Sequence, residues 1–122
     1  MKINKVGQIA IPIRDMKRAI EFYENVLGLK LLFKTDQLGF FDCDGVRLLL
    51  ALPEKESSDY LSSIIYYQVD NINQAYDELL NRGVQIVQKP HIIAKTNKIE
   101  TWMTFFKDSE GNTLALMSES EV

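Results

Sequence analysis

Few side chains in this sequence are equipped to move a proton. His91, in the stretch KPHII, is the only histidine, and imidazole is the side chain best suited to acid–base work near neutrality. Glu100 follows downstream, where it could pair with His91 or serve as a carboxylate base. Both have plainer readings: a lone histidine is often structural or exposed, and a carboxylate at a strand end is often just solvated. Cys43 is the only cysteine. It can form no internal disulfide and lacks the spaced partners of a zinc site. With no histidine beside it in the DCDG segment to hold a thiolate, it reads as a turn residue and not as a nucleophile.

Elements that could carry such groups follow from periodicity. Asp15 is a plausible N-cap, after which Met16, Ala19, Ile20, Tyr23, Val26 and Leu27 keep helical spacing up to Gly28. Asn71 with Gln74 reads as a capping box. Ile72, Ala75, Tyr76, Leu79 and Leu80 then form one apolar face before Gly83. Strand-like segments surround both helices: KVGQIAIPI before the first and LKLLFKT, LGFFDC and VRLLLAL after it, then SSIIYYQV before the second and VQIVQK, ETWMTFF and NTLALMS after it.

The order is therefore β-α-β-β-β written twice, and the copies keep a nearly constant offset: 56 residues from Asp15 to Asn71 and from Ala19 to Ala75, and 55 from Gly28 to Gly83. Such a repeat is a fold-level signal. It divides the chain into a module over residues 1–53, a polar linker over 54–61 and a second module over 62–122. The stretch PHIIAKTNKI has no counterpart in the first copy and reads as an irregular extra loop headed by His91, a place where function often resides.

Composition limits the partners. A chain of 122 residues, 46% hydrophobic and 25% charged, is an ordinary globular domain with room for a real core. Its net charge of −3 and scattered lysines offer no basic stripe for nucleic acid. The apolar run before Arg14 is too short for a signal peptide or a spanning helix, so the expectation is a cytoplasmic protein with no membrane partner.

VGQIAIPIRDMKRAIEFYENVLGLKL near one end and FFKDSEGNTLALMS near the other, together with the repeat, resemble the vicinal oxygen chelate superfamily over nearly the whole chain. That family includes glyoxalase I, bleomycin-resistance proteins, epimerases and ring-cleaving dioxygenases. The second motif is similar to the family's Phe-x-x-Asp-Pro-Asp-Gly-Asn turn, with Ser109 in place of proline. The resemblance implies an α+β fold in which two tandem β-α-β-β-β modules curl a mixed sheet around a cleft. It also implies a homodimer, since the family usually covers exposed strand edges with a partner.

Metal-dependent members place ligands on four inward strand positions. By the resemblance these fall here on Gln8, Leu49, Ile64 and Ala115, the last being the position of the family's glutamate. One neutral amide among three aliphatic residues does not make a site for a divalent ion, and the expectation is no metal and no cofactor. Residues alternate along a strand, which sets Ala10 beside Gln8, Tyr66 beside Ile64 and Met117 beside Ala115. Phe105 matches a position where ring-cleaving members carry an aromatic, and Met103 shares its face. Trp102 has the opposite parity and belongs against the second helix or a subunit contact. Core packing accounts for Leu49, Ile64 and Met103 taken singly; the set describes a small-molecule pocket.

The leading expectation is a protein that binds a small, partly apolar or aromatic molecule without a metal, through Gln8, Leu49, Ile64, Tyr66, Met103, Phe105 and Ala115. One alternative is a lyase or isomerase in which His91 or Glu100 moves a proton while Gln8 and Tyr66 steady an oxygen. Another is a metalloenzyme of glyoxalase or dioxygenase type whose displaced site uses Gln8, His91 and Glu100.

Overall fold

Two carboxamide and carboxylate caps start the helices. Asp15 Oδ1 accepts the Arg18 amide at 3.0 Å and Asn71 Oδ1 accepts the Gln74 amide at 3.0 Å, each satisfying one of the first-turn N–H groups that lack an intrahelical partner. Gly28 and Gly83 close the two helical segments with the same φ of +75°, a left-handed backbone that glycine adopts without a Cβ penalty. The computed structural model describes residues 1–53 and 62–121; the linker expected over 54–61 lies outside the described residues. The chain divides into two units, Met1–Ser62 and Ser63–Val122.

The first unit contains β1 (Gln8–Pro12), α1 (Met16–Glu21), β2 (Lys30–Lys34), β3 (Leu38–Cys43) and β4 (Val46–Ala51). Its sheet has the order β1-β4-β3-β2, with β1 and β4 parallel and the other neighbours antiparallel. The second unit contains β5 (Ile65–Gln68), α2 (Ile72–Asn81), β6 (Ile86–Lys95), β7 (Ile99–Lys107) and β8 (Thr113–Glu121). It repeats the plan in the order β5-β8-β7-β6, with β5 parallel to β8 and the rest antiparallel. The protein is thus α+β, with two tandem β-α-β-β-β modules.

Each sheet buries one face. In the first module Ile11, Phe41, Leu48 and Leu50 are buried. Gly39 lies on this side, facing Met16 and Ile20 of α1, where an added Cβ would stand in ordinary van der Waals contact with Met16 Sδ at 3.4 Å and Ile20 Cγ1 at 3.5 Å. In the second, Leu114, Leu116, Phe106 and Thr104 form the buried face, with Ile72 and Leu79 contributed by α2.

Three expectations change. The first helix is α-helical only to Glu21 and continues as a π-helical turn over Phe22–Val26, closed by the Leu27 amide on the Phe22 carbonyl at 3.0 Å. The wider turn lets two adjacent aromatics, Phe22 and Tyr23, both bury, edge to face at 5.6 Å. Leu80, expected on the apolar face of α2, is 48% exposed. Finally, PHIIAK is not a loop: it is the outer half of β6, paired with β7 and joined to it by a turn at Thr96–Ile99. Pro90 is accommodated because β6 is an edge strand and the register shifts between Gln88 and His91. The Gln88 carbonyl at that bulge accepts the buried Thr104 hydroxyl at 2.7 Å. Among the described residues no helix is long and apolar enough to cross a membrane.

Candidate functional site

The face of each sheet turned away from its helix carries most of the residues singled out in the sequence, Glu100 excepted. In the first module the register sets Gln8, Arg47, Asp42 and Lys30 in one cross-strand row and Ala10, Leu49, Phe40 and Phe33 in the next. Gln8 is exposed and Leu49 half-buried. Arg47 Nε donates to Gln8 Oε1 at 2.8 Å. The Arg47 guanidinium carbon stands 5.5 Å from the centre of the Phe40 ring, and the Phe40 and Phe33 rings lie 6.0 Å apart at 32°. Arg47, Phe40 and Phe33 escaped the sequence reading. The parity that placed Leu49 on this face also places Arg47 there, but only the pairing of β1 with β4 brings Gln8 to it.

In the second module Tyr66, Ala115 and Phe105 are adjacent across β5, β8 and β7. Met103 pairs with both Met117 and His91. Phe105 is the hub: the Tyr66 ring meets it edge-on, 6.0 Å away at 83°, and the His91 ring lies 6.3 Å away at 35°. Ala115 is 0% exposed while Tyr66 is 45% exposed, so the small side chain forms a floor between the two larger rings. Ile64 precedes β5 and is exposed. His91 Nδ1 lies 2.9 Å from the Lys89 carbonyl. A carbonyl only accepts, so this contact assigns the proton to Nδ1 and the lone pair to Nε2.

Glu100 does not join His91. It pairs across β7 and β8 with Ser120 and across to Lys95, sharing the face of Trp102. There Glu100 Oε1 meets Lys95 Nζ at 3.5 Å, and Oε2 accepts the Trp102 indole N–H at 3.3 Å. The strand alternation that brings His91 to Met103 sends Glu100 to the opposite side of the same sheet.

A model of the glyoxalase/bleomycin resistance protein/dioxygenase superfamily matches residues 5–116. The chain belongs to this superfamily. It is 25% identical to the catechol-2,3-dioxygenase of Bacillus subtilis over 124 aligned positions, covering 93% of this chain and 41% of that protein. It is 28% identical to the metallothiol transferase FosB of Lysinibacillus sphaericus over 92 positions, covering 71% of this chain and 65% of that one. The chain therefore spans less than two thirds of either relative. The crystal structure of a superfamily member from Sphaerobacter thermophilus superposes with a TM-score of 0.78 at 23% identity, covering 95% of this chain and 98% of that one, a likeness that bears on fold alone.

Superfamily members that use a metal hold it through side-chain donors, and the residues here do not fit that role. Of Gln8, Leu49, Ile64 and Ala115 only Gln8 has a donor atom, and its Oε1 already accepts from the cationic Arg47. Among the described residues no group of three or more His, Cys, Asp or Glu side chains is placed to hold an ion. The displaced set fails in the second module as well, since His91 and Glu100 occupy opposite faces.

Two further features lie apart from these faces. A groove of about 500 Å³ lies between α1 and the β2–β3 turn, lined by Met16, Ile20, Thr35, two lysines (Lys17 and Lys34) and three carboxylates (Glu21, Glu24 and Asp36); its charges largely cancel and it contains no activated nucleophile. Cys43 ends β3, where burial, with added repulsion from the carboxylates of Asp42 and Asp44, pushes its thiol pKa up. A raised pKa lowers the thiolate fraction at any given pH below it. Iodoacetamide at pH 7.5 is expected to label Cys43 several-fold more slowly than free cysteine, with the rate still climbing at pH values where free cysteine has levelled off. Mass spectrometry over a pH series reads this directly, and labelling as fast as free cysteine would contradict it.

Proposed function

We propose that this superfamily member binds a small, partly apolar or aromatic molecule, and that Tyr66, His91, Met103, Phe105 and Ala115 of the second module receive its ring without a divalent ion. Leu49 and Ile64 add apolar surface in their own modules. One observation carries the reading: Phe105 is flanked by Tyr66 edge-on and by His91 tilted at 35°, over the small Ala115. Aromatic groups in offset or edge-on contact provide a preorganised surface for another ring. The relative named for catechol supports an aromatic ligand class.

His91 supports a second reading, a lyase or isomerase. With Nδ1–H on the Lys89 carbonyl, Nε2 of the neutral ring is the nitrogen that could accept a proton. Glu100, on the other face with Lys95 and Trp102, takes no part.

A thermal-shift panel of small phenols and aromatic carbonyl compounds tests both readings. A ligand at a hundred times its Kd raises stability by about 2.7 kcal/mol. Phe105→Ala is expected to weaken a hit at least tenfold, with EDTA without effect. His91→Gln, which removes the ring beside Phe105, is expected to weaken binding several-fold, less than Phe105→Ala, and on the second reading to abolish turnover as well. Hits indifferent to Phe105→Ala, or lost with EDTA, would overturn the proposal.

A further inference from the structure

We infer that the face of the first module's sheet opposite α1 is a binding site for a small planar aromatic carboxylate, held at its anionic end by Arg47 and Gln8 and along its ring by Phe40 and Phe33. The inference rests on the proposed small-molecule reading and names a ligand class for the sheet face that carries Gln8 and Leu49; its test reads first-module residues, so it can fail while ring binding in the second module stands.

The polar end is defined by what its hydrogen bonds leave over. A glutamine side chain offers one oxygen acceptor and two N–H donors, and a guanidinium offers donors only. Because Arg47 Nε is spent on Gln8 Oε1 at 2.8 Å, the Gln8 amide N–H groups and the paired terminal nitrogens of Arg47 remain. The pair therefore presents donors and positive charge, the complement of a carboxylate, which the guanidinium fork can grip with two parallel bonds. Arg47 forms no ion pair among the described residues. Its stacking against Phe40 at 5.5 Å and its pin to Gln8 hold the fork before any ligand arrives, which lowers the ordering cost of binding.

Asp42 is the one opposing charge in this row, between Arg47 and Lys30. Its Oδ1 accepts the Gly45 amide at 3.2 Å, which engages it with the β3–β4 turn. Arg47 and Lys30 outnumber it, and the row stays net positive.

The apolar end is the neighbouring row. Ala10, Leu49, Phe40 and Phe33 lie two residues along their strands from the charged row or across the β2 bulge from it, a spacing of roughly 7 Å on one face of a strand. A fused-ring acid can span that distance. Phe33 is 58% exposed although it is one of the largest apolar side chains in the module, and its ring is tilted only 32° from Phe40. Together the two rings make a shallow platform beside the donor pair. A neutral arene would gain the platform but not the donors, and an inorganic anion the reverse.

The test is titration of the 15N-labelled full chain with 2-naphthoate, with 2-naphthamide as the neutral control. Naphthoate is expected to shift the backbone amides of Gln8, Arg47 and Phe40 and the side-chain N–H resonances of Gln8 and Arg47, with naphthamide at least tenfold weaker. Arg47→Ala should lose at least tenfold in affinity. Arg47→Lys, which keeps the charge but not the fork, should lose about threefold to fivefold, and it guards against a folding artefact because the spectrum elsewhere should be unchanged. Equal binding of acid and amide, indifference to Arg47→Ala, or shifts confined to the second module would each overturn the inference.

Discussion

Replacing Asp108 by alanine is expected to destabilise the second module by about 3 kcal/mol, the summed loss of charge-assisted hydrogen bonds and of partners left unsatisfied. The carboxylate is 6% exposed and organises the whole β7–β8 turn. Its Oδ1 accepts the amides of Glu110 and Asn112, both at 2.8 Å, and its Oδ2 accepts the Asn112 side-chain N–H at 2.9 Å. Gly111 supplies the left-handed step of the same turn, at φ +86°, which glycine adopts without a Cβ penalty. Asparagine at 108 keeps the Oδ1 acceptor and loses the charge and the second oxygen, and should cost about half as much. Urea titration of Asp108→Ala and Asp108→Asn checks the ranking. A loss below about 1 kcal/mol for alanine would mean that Lys107, whose Nζ reaches Thr113 Oγ1 at 2.7 Å, fastens the turn without the carboxylate.

The legible parts of this chain obey short-range rules. Asp15 and Asn71 are caps because a side-chain oxygen three residues ahead of a free amide has one obvious use, and both hydrogen bonds are present. The glycines 55 residues apart adopt the same left-handed φ, which is why the repeat could be counted from the sequence. Strand parity is equally local: it puts Met103 and Phe105 on one face of β7, and the regular pairing of β7 with β8 and of β8 with β5 adds Ala115 and Tyr66.

Long-range pairing with irregular register was not legible. Pro90 looked like the start of a loop, because a proline within a strand is tolerated only at an edge or a bulge, and neither can be read from the local sequence. Glu100 and His91 could be read as partners because they bound what the sequence presents as one loop. The register shifts at Gln88/His91 and Ile92/Ala94 decide which face each takes, and nothing in the sequence signals a bulge of that kind. Arg47 resembled an ordinary solvated strand residue until β1 brought Gln8, 39 positions away, against it. Phe22 belongs with these, since a helical wheel at 3.6 residues per turn puts it beside the buried stripe, and the π-helical turn moves it in.

Ala115→Glu is expected to remove aromatic binding in the second module and to lower its stability by about 3 kcal/mol, through overpacking and desolvation of a carboxylate with no partner. Ala115 is 0% exposed, with Tyr66 on one side and Phe105 on the other in direct register. A glutamate there must either push those rings apart, losing their edge-to-face contact, or turn its charge into the space the ligand's ring would fill. This is also the position where metal-dependent members of the superfamily are expected to carry a glutamate, so the substitution asks whether restoring one donor restores a metal site. Ligand count says it does not: His91 is the one imidazole on that face, and a single imidazole with one carboxylate leaves most of a divalent ion's coordination to water. Thermal unfolding with and without added Zn²⁺, together with titration of the hits from the aromatic panel, reads both effects. A variant as stable as the parent, or one that takes up stoichiometric Zn²⁺ and gains stability from it, would show that this floor is not the apolar surface its packing describes.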